Sequence, residues 1–278
     1  MTSKICAGIV TYNPVWTRLE ENISHIIEQV DRVYICDNGS NNIDEINEKL
    51  ATFNNRVVLN KLFENKGIAF ALNQLCNSAL VDGFEWILTL DQDSVSPESM
   101  IEGLTQYTNK GDIAIVAPDI IYRNNEDFVY NRINESDEVE WVITSASLTS
   151  LSIWKTLGGF DEQLFIDKVD YEYCYRARNA GYKIIRVNKV KLLHELGDLH
   201  CRKVFGRISN VTNHSAFRCY YMARNEYIVK KKLGVGQPDK ENFKLLIKVI
   251  MFEKEKRKKC NAIFKGIREG KAYALNGE

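Results

Sequence analysis

The triplet Asp91-Gln92-Asp93 follows Trp86–Leu90 (WILTL), a run apolar enough to be a buried strand. Side chains two apart on a strand share a face, so this spacing predicts that both carboxylates address one hard cation. Oxygen ligands favour Mg2+ or Mn2+ over zinc, and substrate phosphates ordinarily complete the shell of a magnesium ion held by one or two carboxylates. Solvated turns are also rich in aspartate, so the triplet alone leaves a plain turn open. Thr11-Tyr12-Asn13 closes the apolar run from Ile5, and Asp37-Asn38-Gly39-Ser40 closes the run Arg32–Cys36. Asp37 either caps a strand-to-helix turn or accepts hydrogen bonds from a base or ribose. Glu64-Asn65-Lys66-Gly67 precedes a helix that starts near Ile68, where free backbone N–H groups can face an anion. Neither a G-x-G-x-x-G fingerprint nor a P-loop occurs, which disfavours an ordinary NAD site or a Walker ATPase.

Strands and helices in alternation must position these groups. Ile5–Tyr12 reads as a strand, Trp16 to Ile27 as a helix with Leu19, Ile23 and Ile26 at helical spacing, and Arg32–Cys36 as a strand. A second cycle runs through Arg56–Leu59, a helix over Ile68–Leu80 and the strand Trp86–Leu90. Such alternation predicts a mostly parallel sheet flanked by helices, with ligands bound beyond the carboxyl ends of its strands. After a strand at Ile113–Ala117 the pattern loosens into a polar loop from Asn124 to Glu138 and one added strand from Trp141 to Leu151. Val169–Ala180 then reads as a helix, Tyr182–Val187 as a strand, and Asn213–Lys232 and Glu241–Ile267 as two further helices.

Composition narrows the classes. The 278 residues carry 37 basic and 37 acidic side chains, without the bulk positive charge of a nucleic-acid binder. The balance is uneven along the chain, because residues 230–278 hold 14 basic and 6 acidic side chains. Seven scattered cysteines without a C-x-x-C pair predict buried thiols in a reducing cytosol rather than a disulfide framework or zinc site. With no leader-like or 18-residue apolar run, the expectation is a cytoplasmic protein, soluble or peripheral on the inner face of the membrane.

Taken in order, VTYNP (10–14), CDNGS (36–40), ENKGIAFALN (64–73), LDQDS (90–94), TSASL (144–148), GGFDEQLFIDKVDYEYCYRARNAGY (158–182) and LLHELG (192–197) resemble glycosyltransferase family 2, the inverting enzymes of GT-A fold. Within it the wording is most similar to the bacterial rhamnosyltransferase branch that uses dTDP-L-rhamnose in surface-polysaccharide assembly. The resemblance implies an α/β GT-A catalytic domain over 1–212, with a nucleotide-binding half to about 118 and an acceptor half to 212, and a helical C-terminal extension over 213–278. It implies a nucleotide-sugar site at Thr11, Tyr12, Asn13, Asp37, Asn38, Asn65, Lys66, Gly67, Asp91 and Gln92, and a metal on Asp91 and Asp93 with His194 nearby.

Family members carry a Glu-Asp pair ahead of an arginine-bearing helix. Here Val169 replaces the glutamate and Asp170 remains, which implies that Asp170 is the base, although an acid on the first turn of a helix also compensates the macrodipole. Trp141, Ser145, Ala146 and Glu172 are implied in the sugar and acceptor pocket; a core tryptophan is the plainer alternative for Trp141. Arg224 and Asn225 either reach the diphosphate or ride on a helix that packs through its tyrosines. The expected partners are dTDP-L-rhamnose and a glycan or lipid-linked acceptor, with no nucleic acid. The apolar stretch Phe243–Phe252 beside the basic run to Lys259 can lie on an anionic membrane or pair with a second subunit as a homodimer. Rival readings are a family member using a UDP-sugar, a sugar nucleotidyltransferase, and a binding module without turnover.

Overall fold

The computed structural model describes residues 3–122, 132–194, 200–204, 207–211 and 213–276. They divide into two compact units, Met1–Glu162 with Tyr173–Glu195, and Gln163–Glu172 with Leu196–Glu278.

The first unit is a mixed eight-stranded sheet with helices around it. Its strands are β1 (Ile5–Thr11), β2 (Arg32–Asn38), β3 (Val57–Leu62), β4 (Trp86–Asp91), β5 (Ile113–Tyr122), β6 (Ser136–Glu138), β7 (Ser147–Ser150) and β8 (Lys183–His194), in the order β3-β2-β1-β4-β7-β5-β8-β6. β1 to β4 are mutually parallel; β7 runs antiparallel to both β4 and β5 and closes the gap between two parallel blocks. β1 and β4 are covered on both faces, which is why ICAGIVT and WILTL are almost continuously apolar rather than alternating. The helices are α1 (Trp16–Ile27), α2 (Ile43–Leu50), α3 (Ile68–Val81), α4 (Met100–Thr105) and α5 (Leu151–Thr156), and α6 (Val169–Asn179) starts on the segment that belongs to the second unit. Leu19, Ile23 and Ile26 of α1 join Ile9, Ile35 and Leu88 in the main core.

The second unit holds the segment 163–172, a hairpin of β9 (His200–Val204) and β10 (Arg207–Val211), and α7 (Ala216–Leu233), α8 (Pro238–Phe252) and α9 (Lys256–Asn276). Cys219, Ala223, Val249 and Ile263 form its own small core.

Three expectations change. The strand expected over Trp141–Leu151 is confined to Ser147–Ser150. Before it the chain turns through Ala146 at φ 61°, and the Ser147 hydroxyl donates to the Ile143 carbonyl at 2.5 Å, one of the local bonds by which serine competes with a ladder. The polar loop contains a short strand, β6, on the edge beside β8; residues 123–131 of that loop lie outside the described residues. The single helix expected over Glu241–Ile267 is two. Glu253 is extended there and Glu255 has φ 51°, which turns Glu253 inward to meet Lys259 at 2.9 Å, both side chains almost fully buried. Asn213 accepts from the same ammonium at 2.8 Å and from the Lys254 N–H at 3.2 Å. The helices α4 and α5 and the hairpin are too short to carry a readable apolar period, whereas α2 has Ile43, Ile46 and Leu50 at helical spacing within only eight residues. Of the cysteines with described side chains, five are buried and Cys260 partly so, all as free thiols.

Removing one partner of a buried ion pair strands the other. Lys259→Ala should therefore destabilise the C-terminal unit by about 3–5 kcal/mol, whereas replacing both Lys259 and Glu253 by Met should cost much less. Urea unfolding followed by circular dichroism reads the difference, and equal midpoints for the two variants would contradict it.

Candidate active site

Parallel register brings the polar strand closures together. Thr11 stands opposite Asp37, Val10 opposite Asp91 and Asn38 opposite Leu62, so the turns after β1, β2, β3 and β4 all leave one edge of the sheet. Asp37, 1% exposed, is held by four donors. Its Oδ1 accepts from the Gly39 and Ser40 N–H groups at 3.1 and 2.9 Å, and its Oδ2 accepts from the hydroxyls of Thr11, at 3.0 Å, and Ser40. That is the capping arrangement among the two readings, and it fills the carboxylate from within the protein. The Ser40 hydroxyl also accepts from the Asn13 N–H at 2.7 Å, and Asn13 Oδ1 accepts from the Asn41 N–H at 2.8 Å.

Asn38 joins this turn to the next. Its Nδ2 donates to Asn65 Oδ1 at 3.1 Å and its Oδ1 accepts from the Lys66 N–H at 2.9 Å, while Asn65 Oδ1 also accepts from the Gly67 N–H at 3.0 Å. Gly67, at φ 91°, precedes α3 with no side-chain cap on the helix. Lys66 is exposed there, 3.6 Å from Glu64 and over the Phe70 ring. Across the edge, the half-exposed Tyr12 donates its N–H to Gln92 Oε1 at 2.9 Å.

β4 ends at Asp91, so only the first acid of the triplet lies on the strand. Asp93 is exposed on a turn closed by the Ser94 N–H and the Asp91 carbonyl at 3.2 Å, a correction to the expected strand pair. The turn still sets two carboxylates beside this sheet edge, a donor set suited to a hard divalent cation. Among the described residues no group of three or more His, Cys, Asp or Glu side chains gathers around one point, so two protein carboxylates are what such an ion would find. His194 ends β8, and its side chain lies outside the described residues. Trp141 is half exposed; Ser145 and Ala146 are buried, with the Ser145 hydroxyl 3.0 Å from that of Ser94 and the Ala146 N–H donating to the Thr89 carbonyl at 2.7 Å.

In the second unit Asp170 stands on the first turn of α6, at the end of a segment with positive φ at Phe165, Asp167 and Lys168. Burial, helped by the charge of Asp167, pushes its carboxyl above the usual range. Glu172, two residues on, is buried. α7 grips this segment. Asn225 donates to the carbonyls of Leu164, Ile166 and Asp167 at 2.7, 2.8 and 3.0 Å, Arg218 meets Asp167 with a bidentate fork, and Lys168 lies 2.9 Å from Glu226. Arg224 donates to the Gln163 carbonyl and lies over the Tyr220 and Tyr221 rings.

Residues 6–174 match the glycosyl transferase family 2 model. Over 247 residues, 84% of this chain and 81% of the relative, the sequence is 32% identical to the dTDP-rhamnosyl transferase RfbF of Shigella flexneri. The chain belongs to glycosyltransferase family 2. Its fold is that of GT-A glycosyltransferases. The mannosyltransferase PcManGT of Pyrobaculum calidifontis, solved with GDP-Man and Mn2+, superposes with a TM-score of 0.63 at 15% identity, over all of this chain and 77% of that one. GalNAc-T7 with UDP, GalNAc and Mn2+ gives 0.62 at 14%, over 83% of this chain and half of that protein. The Staphylococcus aureus TarS fragment 1–349 with UDP-GlcNAc gives 0.59 at 13%, over 99% and 76%.

Two amides of the transferase were missed from sequence. Asn22 of α1 donates to the Asp91 carbonyl at 2.6 Å, and Asn73 of α3 clasps Phe160 through its N–H and carbonyl at 2.8 and 2.9 Å and reaches Glu162 at 2.8 Å. Each sits beside or within the apolar stripe of its helix, where an amide must find partners; that was the available signal.

Gly39 tests how this sheet edge is built. At φ 85°, a Cβ there would lie 2.7 Å from the backbone of Glu64. Gly39→Ala should cost about 1–2 kcal/mol in backbone strain alone and, by parting the Asn38 and Asn65 turns, lower nucleotide-sugar turnover in the same preparation. Wild-type turnover in this variant would show that the two turns need not meet.

Proposed function

We propose that the transferase moves L-rhamnose from dTDP-L-rhamnose to a hydroxyl of a glycan or lipid-linked acceptor in the cytoplasm, with inversion, as a step of surface-polysaccharide assembly. The observation that carries the donor is the 32% identity to a dTDP-rhamnosyl transferase across 84% of the chain. In this reading residues 1–212 form the catalytic domain and 213–278 its helical extension. The turns of Thr11–Asn13, Asn38 and Asn65–Gly67 seat the nucleotide, and the α3 N-terminus with Lys66 faces its phosphates. Asp37 acts from beneath, by holding the turn that presents Asn38. Asp91, Asp93 and Gln92 line the diphosphate side, with His194 assigned to the same region; Trp141, Ser145, Ala146 and Glu172 are assigned to the acceptor side. A Mg2+ or Mn2+ ion on the two aspartates would neutralise charge on the leaving diphosphate. That two structural relatives were solved with Mn2+ and a nucleotide or nucleotide sugar supports this metal class.

Asp170 takes the proton of the acceptor hydroxyl as that oxygen attacks the anomeric carbon from the face opposite the diphosphate. Its carboxyl, raised by burial, is a better proton acceptor than an ordinary aspartate. The base must be deprotonated to act. Turnover should therefore fall as pH drops through that raised value, placing the acid limb of the rate profile above the ordinary carboxylate range.

Asp170→Asn should lower kcat by roughly 10²- to 10⁴-fold with donor affinity nearly unchanged, and should abolish that limb. A wild-type rate would remove Asp170 from the chemistry, and inactivity of Glu172→Gln beside it would move the base to Glu172. Asp91→Asn and Asp93→Asn should each cost about a hundredfold or more in turnover, and EDTA should do the same until Mn2+ is restored. Donor identity is read by comparing dTDP-L-rhamnose with UDP- and GDP-sugars in one hydrolysis and transfer assay; faster turnover of another sugar nucleotide overturns the rhamnose assignment.

A further inference from the structure

α8 leaves one face uncovered. Phe243, Ile247, Ile250 and Met251 are 64, 40, 54 and 52% exposed, and their spacing of four, three and one residues puts them on one stripe of the helix. The opposite side is occupied: Val249 and Asn242 are buried, and Leu245 and Leu246 pack on the small core with α7 and α9. Lys240 lies one turn before Phe243 at the N-terminal end of the apolar stripe, Lys244 at its margin, and Lys254, Lys256, Arg257 and Lys258 follow directly at its C-terminal end, all exposed. The acids nearby are turned to other partners. Asp239 accepts from Tyr227 and Lys271, Glu253 is sealed with Lys259, Glu255 pairs with Lys258, and Glu241 pairs with Lys244.

We infer that α8 is an interfacial helix, which lays this stripe into the headgroup region of an anionic bilayer while the basic cluster after it engages the lipid phosphates. Fifteen residues make about 22 Å of helix, too short to span a bilayer, and among the described residues no helix is long and apolar enough to cross one. An in-plane amphipathic helix needs what α8 has, a separate apolar face with cations at its margin and end. A second copy of the chain suits the face less well. Four side chains offer far less area than the roughly 800 Å² per partner of a standard interface, and a twofold contact would bring like lysines together. The inference stands apart from the donor and acceptor proposed above, because vesicle binding is read without turnover.

The test uses the full chain with vesicles of phosphatidylcholine alone and of phosphatidylcholine with phosphatidylglycerol in equal parts. Wild type should co-sediment with the anionic vesicles only, and release with added salt. Two variants separate the contributions. Phe243→Gln, Ile247→Gln, Ile250→Gln and Met251→Gln combined should bind the anionic vesicles at least tenfold more weakly at unchanged helicity. Lys254→Gln, Lys256→Gln, Arg257→Gln and Lys258→Gln combined should lose the preference for the anionic lipid. Absence of vesicle binding by wild type, or equal binding by the first variant, overturns the inference. So does a wild-type dimer in light scattering that ignores vesicles and falls to monomer in the first variant, since it assigns the face to a second copy.

Discussion

Burying a carboxylate costs several kcal/mol unless donors replace the water it loses, and at Asp37 four donors from three residues of one turn and the neighbouring strand do so. The consequence extends beyond the aspartate. Ser40 is fixed through both its N–H and its hydroxyl, and it holds Asn13 after β1; Asn13 in turn holds Asn41. Gly39 supplies the left-handed turn that lets the Asp37 bonds close, with the Glu64 backbone packed where a side chain would stand. From that closed turn Asn38 reaches Asn65 and Lys66, so the geometry of three turns at the sheet edge follows from one internal charge. The three turns at this edge are thus tied to one another by the protein's own hydrogen bonds.

The second unit solves a related problem with backbone rather than charge. A segment that visits positive φ at Phe165, Asp167 and Lys168 costs of order 1–3 kcal/mol at each such residue and persists only where its surroundings over-determine it. Asn225 supplies that constraint, because one buried amide donates to the carbonyls of Leu164, Ile166 and Asp167 along the irregular segment. Arg218 fixes Asp167 at the same time, which keeps a negative charge close to Asp170 and contributes to its raised pKa. α7 is thus a mount for the acidic segment, and its arginine and asparagine are committed to that task.

How much of this was legible follows from the range of each signal. The alternation of apolar runs with helical stripes exposed β1, β4, α1 and α3 to within a residue at each end and β2 and β3 to within three, since each signal is local in the chain. The polar closures were legible too, because a parallel sheet has only one carboxyl edge. What could not be read was decided by partners distant in sequence. β7 is short because Ala146 must meet Thr89, and α8 ends at Phe252 because Glu253 has Lys259 and Asn213 to reach. Asp37 read as either ligand or cap until its four donors were placed, and the Asp91–Asp93 spacing misled by one element, since the strand stops at the first acid. The family resemblance supplied Asp170, which no spacing rule would have distinguished from a helix-terminal charge.

Net charge is the coarsest of these readings, and the structure shows why it conceals the surface. The chain sums to zero, yet its C-terminal excess of positive charge is not spread evenly over α7 to α9. Lys259 is buried against Glu253, Lys271 lies 3.1 Å from Asp239, and Lys265 sits near Glu269 and over the Tyr220 ring. Exposed pairs of the last kind contribute at most about 1 kcal/mol each, so they fix orientation more than stability. The break between α8 and α9 matters more. By drawing Glu253 and Lys259 inward it removes one acid and one base from the surface, and it leaves Lys254 outside on the short bend and Lys256 and Arg257 outside on the first turn of α9, directly beyond the exposed apolar stripe. A continuous helix would have wound those cations around its whole circumference. The buried ion pair therefore does two things, ending one helix and concentrating charge at its tip, and the second follows from the first by geometry alone.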